Sequence, residues 1–166
     1  QGISLSPEGA NVSNIETVLF LMSQIFGFIY EELTPKLDSF IATFENFFKT
    51  NDFDLKTRTS QVIGEILCIV NKKESKKFKV FIPCILEHTY KCLVDTKQEN
   101  NLKLCLMAIS DLATSEPNIL RKSFPDLYIL LGKVIENKDL EESNLRDLSF
   151  EIIVGMVENC PKLLKD

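Results

Sequence analysis

The sequence predicts an all-α fold, an α-α superhelix of about seven helices in antiparallel pairs with the form of a HEAT-repeat solenoid. The first observation behind this is a helix pattern that recurs at intervals of 40 to 47 residues. It reads as an acid, Leu three residues on, a base at four, and apolar or small residues at seven and ten. Asp52, Leu55, Lys56, Thr59 and Val62 form one copy; Glu99, Leu102, Lys103, Leu106 and Ile109 a second; Glu142, Leu145, Arg146, Ser149 and Ile152 a third. A degenerate copy precedes them at Val12, Ile15, Glu16, Leu19 and Met22. A period in this range marks stacked helical repeats, each unable to bury its apolar face alone. The second observation is an absence of strand-like alternation beyond a few residues. The third is that several helices are apolar over more than one face, as expected when each packs on a partner and on neighbouring repeats.

The elements follow in order. Residues 1–12 read as a loose lead-in, with Gln1-Gly2 as the remnant of a cleaved tag. Ser13 caps a helix reaching about Leu33, the second helix of an incomplete repeat, with Ile15, Val18, Leu19, Met22 and Phe26 as its stripe. Thr34 caps the next helix, to Thr50, with Pro35 in the first turn where a missing N–H costs nothing. It pairs with a helix over Asp54–Asn71, and residues 34–73 make one repeat. Lys72–Lys77 links to the second repeat, 74–116, with helices Phe78–Asp95 and Asn100–Ser115. Pro117 stops the latter. Helices Phe124–Asn137 and Glu142–Cys160 form the third repeat, 117–160, and residues 161–166 begin another. Both ends of the chain therefore look like the edges of an excised piece.

Pro83 and Pro125 stand 42 residues apart, early in the first helices of two successive pairs. A proline beyond the first turn removes a backbone donor and crowds the preceding turn, so both helices should bend. A bent first helix with a straight second helix is the HEAT form.

Composition narrows the function. The chain has 166 residues, 45% of them hydrophobic, and a net charge of -5, which argues against direct nucleic-acid binding and fits a receptor for basic partners. The most apolar run, Val18–Tyr30, is too short to span a bilayer. No signal peptide is visible. Of five cysteines, Cys68, Cys105 and Cys160 fall on apolar stripes, the pattern of reduced buried thiols in an intracellular protein without a structural disulfide. Cys84 and Cys92 flank His88 at four residues on either side, which admits a metal site, but a bystander histidine is the simpler reading. His88 is the only histidine, the glycines are isolated within helices, and no carboxylates pair on an apolar face. Catalysis and a cofactor are not expected.

Three segments then carry a family resemblance. Ala113-Thr114-Ser115-Glu116-Pro117-Asn118-Ile119-Leu120-Arg121 is similar to an inter-repeat link of the form A-D-x-x-P-K-x-L-R. Leu148-Ser149-Phe150-Glu151-Ile152-Ile153-Val154, with Glu158 and Leu163-Leu164-Lys165, is similar to a helix of the form L-A-L-E-V-I-V…E…M-L-R-K. Asn11-Val12 and Ile25-Phe26-Gly27 echo a further pair of motifs. In this ordered series the chain resembles the importin-beta (karyopherin-beta) family of nuclear transport receptors, importin-five type, over nearly all of residues 11–166. The resemblance places it in the amino-terminal third of such a receptor, at about the fourth to seventh repeats.

The resemblance implies a receptor that shuttles between cytoplasm and nucleus. It would bind basic protein cargo on the concave surface of the second helices, release it to RanGTP, and touch Phe-Gly nucleoporins in apolar grooves between first helices. The fragment itself is expected to be monomeric. Leu86 and Tyr90 lie on a different helical face from Phe78, Ile82 and Ile85, and Tyr128 and Ile129 are comparable in the next pair, so these four are candidates to line such a groove. Lys56, Lys103 and Arg146 are candidate cargo or Ran contacts, set against the simpler reading of an acid–base ladder. The lysines at 72, 73, 76, 77 and 79 read as a solvated link rather than a nucleic-acid site, and the phenylalanines mostly as core. The alternative is a HEAT scaffold of another kind. A tubulin-binding array usually carries a Trp in an early loop, and this chain has none. A phosphatase regulatory scaffold would have more uniform repeats. An all-helical enzyme finds no site residues.

Overall fold

A computed structural model describes residues 12–25, 27–140 and 144–160. Seven longer helices form its frame: α1 (Val12–Ile25), α2 (Leu37–Lys49), α3 (Phe53–Ile69), α4 (Ile82–Val94), α5 (Glu99–Ser115), α6 (Phe124–Glu136) and α7 (Asn144–Asn159). No strand occurs among the described residues. The hairpins are α2/α3, α4/α5 and α6/α7, and the second helices stack as a layer in the order α1, α3, α5, α7. The first helices form the other layer, with α4 against α6.

The recurring pattern is the buried seam of the second-helix layer. At its third position Leu55, Leu102 and Leu145 are buried; at the seventh, Thr59, Leu106 and Ser149; at the tenth, Val62, Ile109 and Ile152. Ile15 and Leu19 continue it into α1. Polar residues are admitted at the seventh position because each hydroxyl donates back along its own helix. Thr59 Oγ1 reaches the Leu55 carbonyl at 2.7 Å, and Ser149 Oγ the Leu145 carbonyl at 2.8 Å. Contacts between repeats reproduce the sequence period. Asn101 Nδ2 donates to Asp54 Oδ1 at 2.7 Å across 47 residues, Cys68 meets Ser115 across 47, and Tyr90 meets Lys133 across 43.

Close approach in this layer depends on small residues. A Cβ added at Gly64 would lie 3.4 Å from both the Cβ and the carbonyl oxygen of Ala108, and one at Gly155 would lie 3.9 Å from the Ala113 Cβ. The first-helix layer is joined instead by rings. Phe81 packs edge-on to Phe44 at 6.1 Å and stacks with Phe48 at 5.8 Å, while Phe78 lies 6.2 Å away. The abundant phenylalanines of α2 and its successor are therefore core, as the sequence suggested.

Several boundaries differ from the sequence expectation. The first helix does not run to Leu33: it ends at Ile25, and a separate turn forms over Tyr30–Leu33. Thr34 does not cap α2; its hydroxyl donates back to the Tyr30 carbonyl at 2.8 Å, and Pro35 opens a 3-10 turn over Thr34–Lys36. The link after Val70 is helical, as a turn over Lys72–Ser75 capped by Asn71 and a 3-10 stretch over Lys76–Phe81. This splits the expected Phe78–Asp95 helix. Pro83 lies in the first turn of α4 and Pro125 in that of α6, each preceded by 3-10 backbone, so the expected bend takes the form of a change of helix type at the proline. Pro117 both ends α5 and starts a short turn over Pro117–Leu120. The lead-in 1–11, Phe26, Glu142, and the 161–166 segment with Leu163-Leu164-Lys165 lie outside the described residues, as does the side chain of Ser13.

Candidate functional site: a groove between first helices

Helices α4 and α6 lie side by side, and the space between them is a groove of about 340 Å³. Leu86, Tyr90, Ile129 and Leu130 supply its apolar lining, with Pro83 and Ser123 beside them and the carboxylates of Glu87 and Asp126 also at its wall. Spacing explains the convergence. Pro83, Leu86 and Tyr90 rise along one face of α4 at three- and four-residue steps, and Asp126, Ile129 and Leu130 do so on α6. The neighbouring face of α4 carries Ile82, Ile85 and Leu93 into the core.

Three of the four residues expected to line such a groove meet there: Leu86, Tyr90 and Ile129. Tyr128 is 56% exposed and stands outside the lining, its ring 6.2 Å from Phe124. Sequence reasoning missed Pro83, Glu87, Asp126 and Leu130. Their signal was available in the step between Asp126 and Leu130 and in the alignment of Pro83 with Leu86. Tyr90 is held in place by Lys133, whose ammonium lies 4.6 Å from the ring centroid and donates to the phenol oxygen at 3.2 Å. The lysine thus ties α6 to the tyrosine at the α4 wall of the groove.

Lys56, Lys103 and Arg146 are not brought to this groove. Lys56 faces α4, in a small cleft of about 70 Å³ with Phe48, Cys84 and Glu87. Lys103 is half-buried on α5. Arg146 is exposed and donates to the Asn137 carbonyl at 3.1 Å, bracing the turn before α7. Asp52 accepts from the Leu55 N–H at 2.9 Å and acts as the N-cap of α3. Ion pairs join Lys77 with Asp38 and Glu74, both at 2.9 Å, and Lys91 with Glu87 at 2.6 Å. Lys77 of the lysine-rich link therefore ties that link to α2.

The inner layer carries an acidic feature that the sequence did not reveal. Burial, and then the neighbouring charge of Asp111, hold the Glu65 carboxyl above its usual range, and burial raises Asp111. Cys68, expected on a buried stripe, is instead exposed, because its position on α3 turns away from the seam, though partial desolvation still raises its thiol. Carboxylates from two successive second helices thus lie near enough for the charge of Asp111 to act on Glu65, and a cationic side chain beside them would relieve that repulsion.

His88 does not face Cys84. It is buried with Cys92 and with Cys105 from α5, their donor atoms all lying within 4.8 Å of one another. The imidazole Nε2 lies 2.9 Å from the Thr57 hydroxyl and 3.7 Å from Cys92 Sγ, while Nδ1 has no hydrogen-bond partner. The hydrogen bond to Cys105 and burial push the Cys92 thiol up, so Cys92 keeps its proton. Two thiols and an imidazole are donors suited to a soft cation. A structural zinc site, however, takes four ligands and orients each histidine through its other ring nitrogen. The cluster supplies three donors and leaves Nδ1 without a partner. Its geometry is that of a buried polar contact joining α3, α4 and α5.

The order and packing of the elements now meet their counterparts in known proteins. A family model described as "IPO5-like, TPR repeats" matches residues 6–130. The chain belongs to the IPO5-like family. The contact period of 43 to 48 residues in this IPO5-like chain is longer than the 34 of a tetratricopeptide repeat and lies in the HEAT range. Its structure is similar to that of Kap121p, with a TM-score of 0.78 and 19% identity over 95% of this chain and 15% of that one. Two complexes also match, both with a TM-score of 0.71 and 17% identity. One is Kap121p bound to Nup53p, covering 93% of this chain and 16% of that one; the other is the karyopherin Kap121p bound to the SUMO protease Ulp1p, covering 96% and 17%. The IPO5-like chain thus spans about a sixth of the length of the Kap121p chains it matches. No curated protein sequence matches it. Among the described residues, no helix is long and apolar enough to cross a membrane.

Proposed function

We propose that this chain is part of a nuclear import receptor, a non-enzymatic scaffold that needs no cofactor and shuttles between cytoplasm and nucleus. Its α4–α6 groove takes the phenylalanine side chains of Phe-Gly nucleoporins. Its second-helix layer faces protein cargo of basic character, displaced by RanGTP. The observation that carries this reading is the convergence of Leu86, Tyr90 and Ile129 from two successive repeats on one apolar slot. Family membership supports it, as do the Kap121p complexes with Nup53p and Ulp1p, which are protein partners of a karyopherin. The neighbouring carboxylates Glu65 and Asp111 support a basic cargo. Neither a membrane nor direct nucleic-acid binding enters this reading, and the piece acts as a monomer.

The test is a pull-down of the complete polypeptide on immobilised Phe-Gly peptide and on RanGTP. Ile129→Asp replaces an apolar wall of the slot with a charge and should abolish peptide capture while leaving RanGTP capture intact. Tyr90→Ala removes an aromatic wall and should weaken peptide binding by about 1 kcal/mol or more, by analogy with truncated interface aromatics. Tyr128→Ala, outside the slot, should change little. Unaltered peptide binding by both Tyr90→Ala and Ile129→Asp would refute the assignment of the groove.

A further inference from the structure

We infer that the α4–α6 trough takes a linear peptide of mixed polarity, with a bulky apolar side chain in the slot and acidic residues in a basic compartment beside it. This rests on reading the slot as a docking site for an apolar side chain. The slot continues into a second space of about 750 Å³, and Pro83 and Ser123 are walls of both. Buried Ile82 and Ile119 form part of its lining, with the exposed cations Lys79 and Lys122 and the guanidinium-bearing Arg121 around them.

Charge changes sign along the trough. The slot end carries Glu87 and Asp126, the charge of Glu87 being offset by Lys91 at 2.6 Å. The other end carries cations alone in its lining, on a chain whose net charge is -5. Carboxylates following the anchoring side chain meet opposite charge there, and lysines in their place meet like charge. The trough therefore selects both composition and direction, which an uncharged slot would not.

The experiment uses the complete polypeptide and fluorescence anisotropy with three labelled peptides. In the first a phenylalanine is followed by a run of Asp and Glu; in the second the run is Lys; in the third the acidic run is kept and the phenylalanine is replaced by Ser. The first should bind roughly tenfold more tightly than either other, a gain that falls as salt rises, because several exposed pairs each contribute modestly. Lys79→Glu with Lys122→Glu should reverse the preference between the first two, in a protein whose thermal melt is unchanged. If a Phe-Gly peptide binds and the acidic run adds nothing, the slot stands and this inference falls. If no phenylalanine peptide binds, both fall. Equal binding by the third peptide, or by an RNA oligonucleotide, would show a general anion patch and overturn the inference.

Discussion

At the scale of single residues, the buried polar groups are the most sensitive points of the structure. Thr57 is 1% exposed, and its hydroxyl is the hydrogen-bond partner of the one described histidine ring buried between three helices. Thr57→Val keeps the shape and removes that bond, leaving Nδ1 without a partner and Nε2 with only the longer contact to Cys92 Sγ. A loss of about 1–3 kcal/mol is expected, measured by urea unfolding. The carboxyl pair gives a pH dependence. Glu65 and Asp111 bind protons more readily in the folded chain than in the unfolded one, so the stability they contribute is present at low pH and lost as pH rises through their raised pKa values. Near neutral pH they repel. Asp111→Asn should therefore raise stability at neutral pH slightly, by no more than about 0.5 kcal/mol since the side chain is exposed, and flatten its change with pH just above the ordinary carboxylate range. The same variant should weaken binding of a basic peptide, which calorimetry would register.

At the scale of elements, the two layers are built from different residues and fail differently. The second helices approach through Gly64 and Gly155, so Gly64→Val would force α3 from α5 and should cost about 1–3 kcal/mol by overpacking. The first-helix layer relies on Phe81, 1% exposed among three other rings, and Phe81→Ala should cost about 3–5 kcal/mol. Chemical denaturation would compare the two. The seam positions were legible in the sequence because burial repeats with the helical period: Leu55, Leu102 and Leu145 sit at matched positions and are matched in burial. The groove residues Leu86, Tyr90 and Ile129 were legible for the complementary reason, being apolar residues off that stripe. What escaped depends on geometry between helices. No spacing within one helix shows that Cys105, rather than Cys84, lies beside His88, or that Asp111 lies near Glu65. The helix starts at Leu37 and Ile82 escaped for a different reason. Cooperative 3-10 turns and a back-bonding Thr34 replaced the caps that residue type alone suggests.

At the scale of the whole molecule, the side-chain hydrogen bonds between repeats reach at most about one period along the chain, with separations of 31 to 48 residues. Stability in such an array is a sum of nearest-neighbour interfaces. Leu145→Ala should therefore loosen α7 and its neighbour α5 while leaving α1 and the α2/α3 hairpin protected, as hydrogen exchange followed by mass spectrometry would show. Equal loss of protection throughout would indicate a single cooperative unit. The same arrangement lets the α4–α6 groove open or close with little effect on distant repeats.

The glycine–alanine contacts of one layer and the open spaces in the other make each hairpin a wedge, narrow where α3 meets α5 and broad where α4 faces α6. Wedges set side by side build an arch, as the stones of a vault do. At Gly64, where an added Cβ would meet Ala108 on two sides at 3.4 Å, anything bulkier than a methyl group would spread one joint of the vault and so alter its span and what fits beneath it, whereas Gly155 leaves room for a methyl.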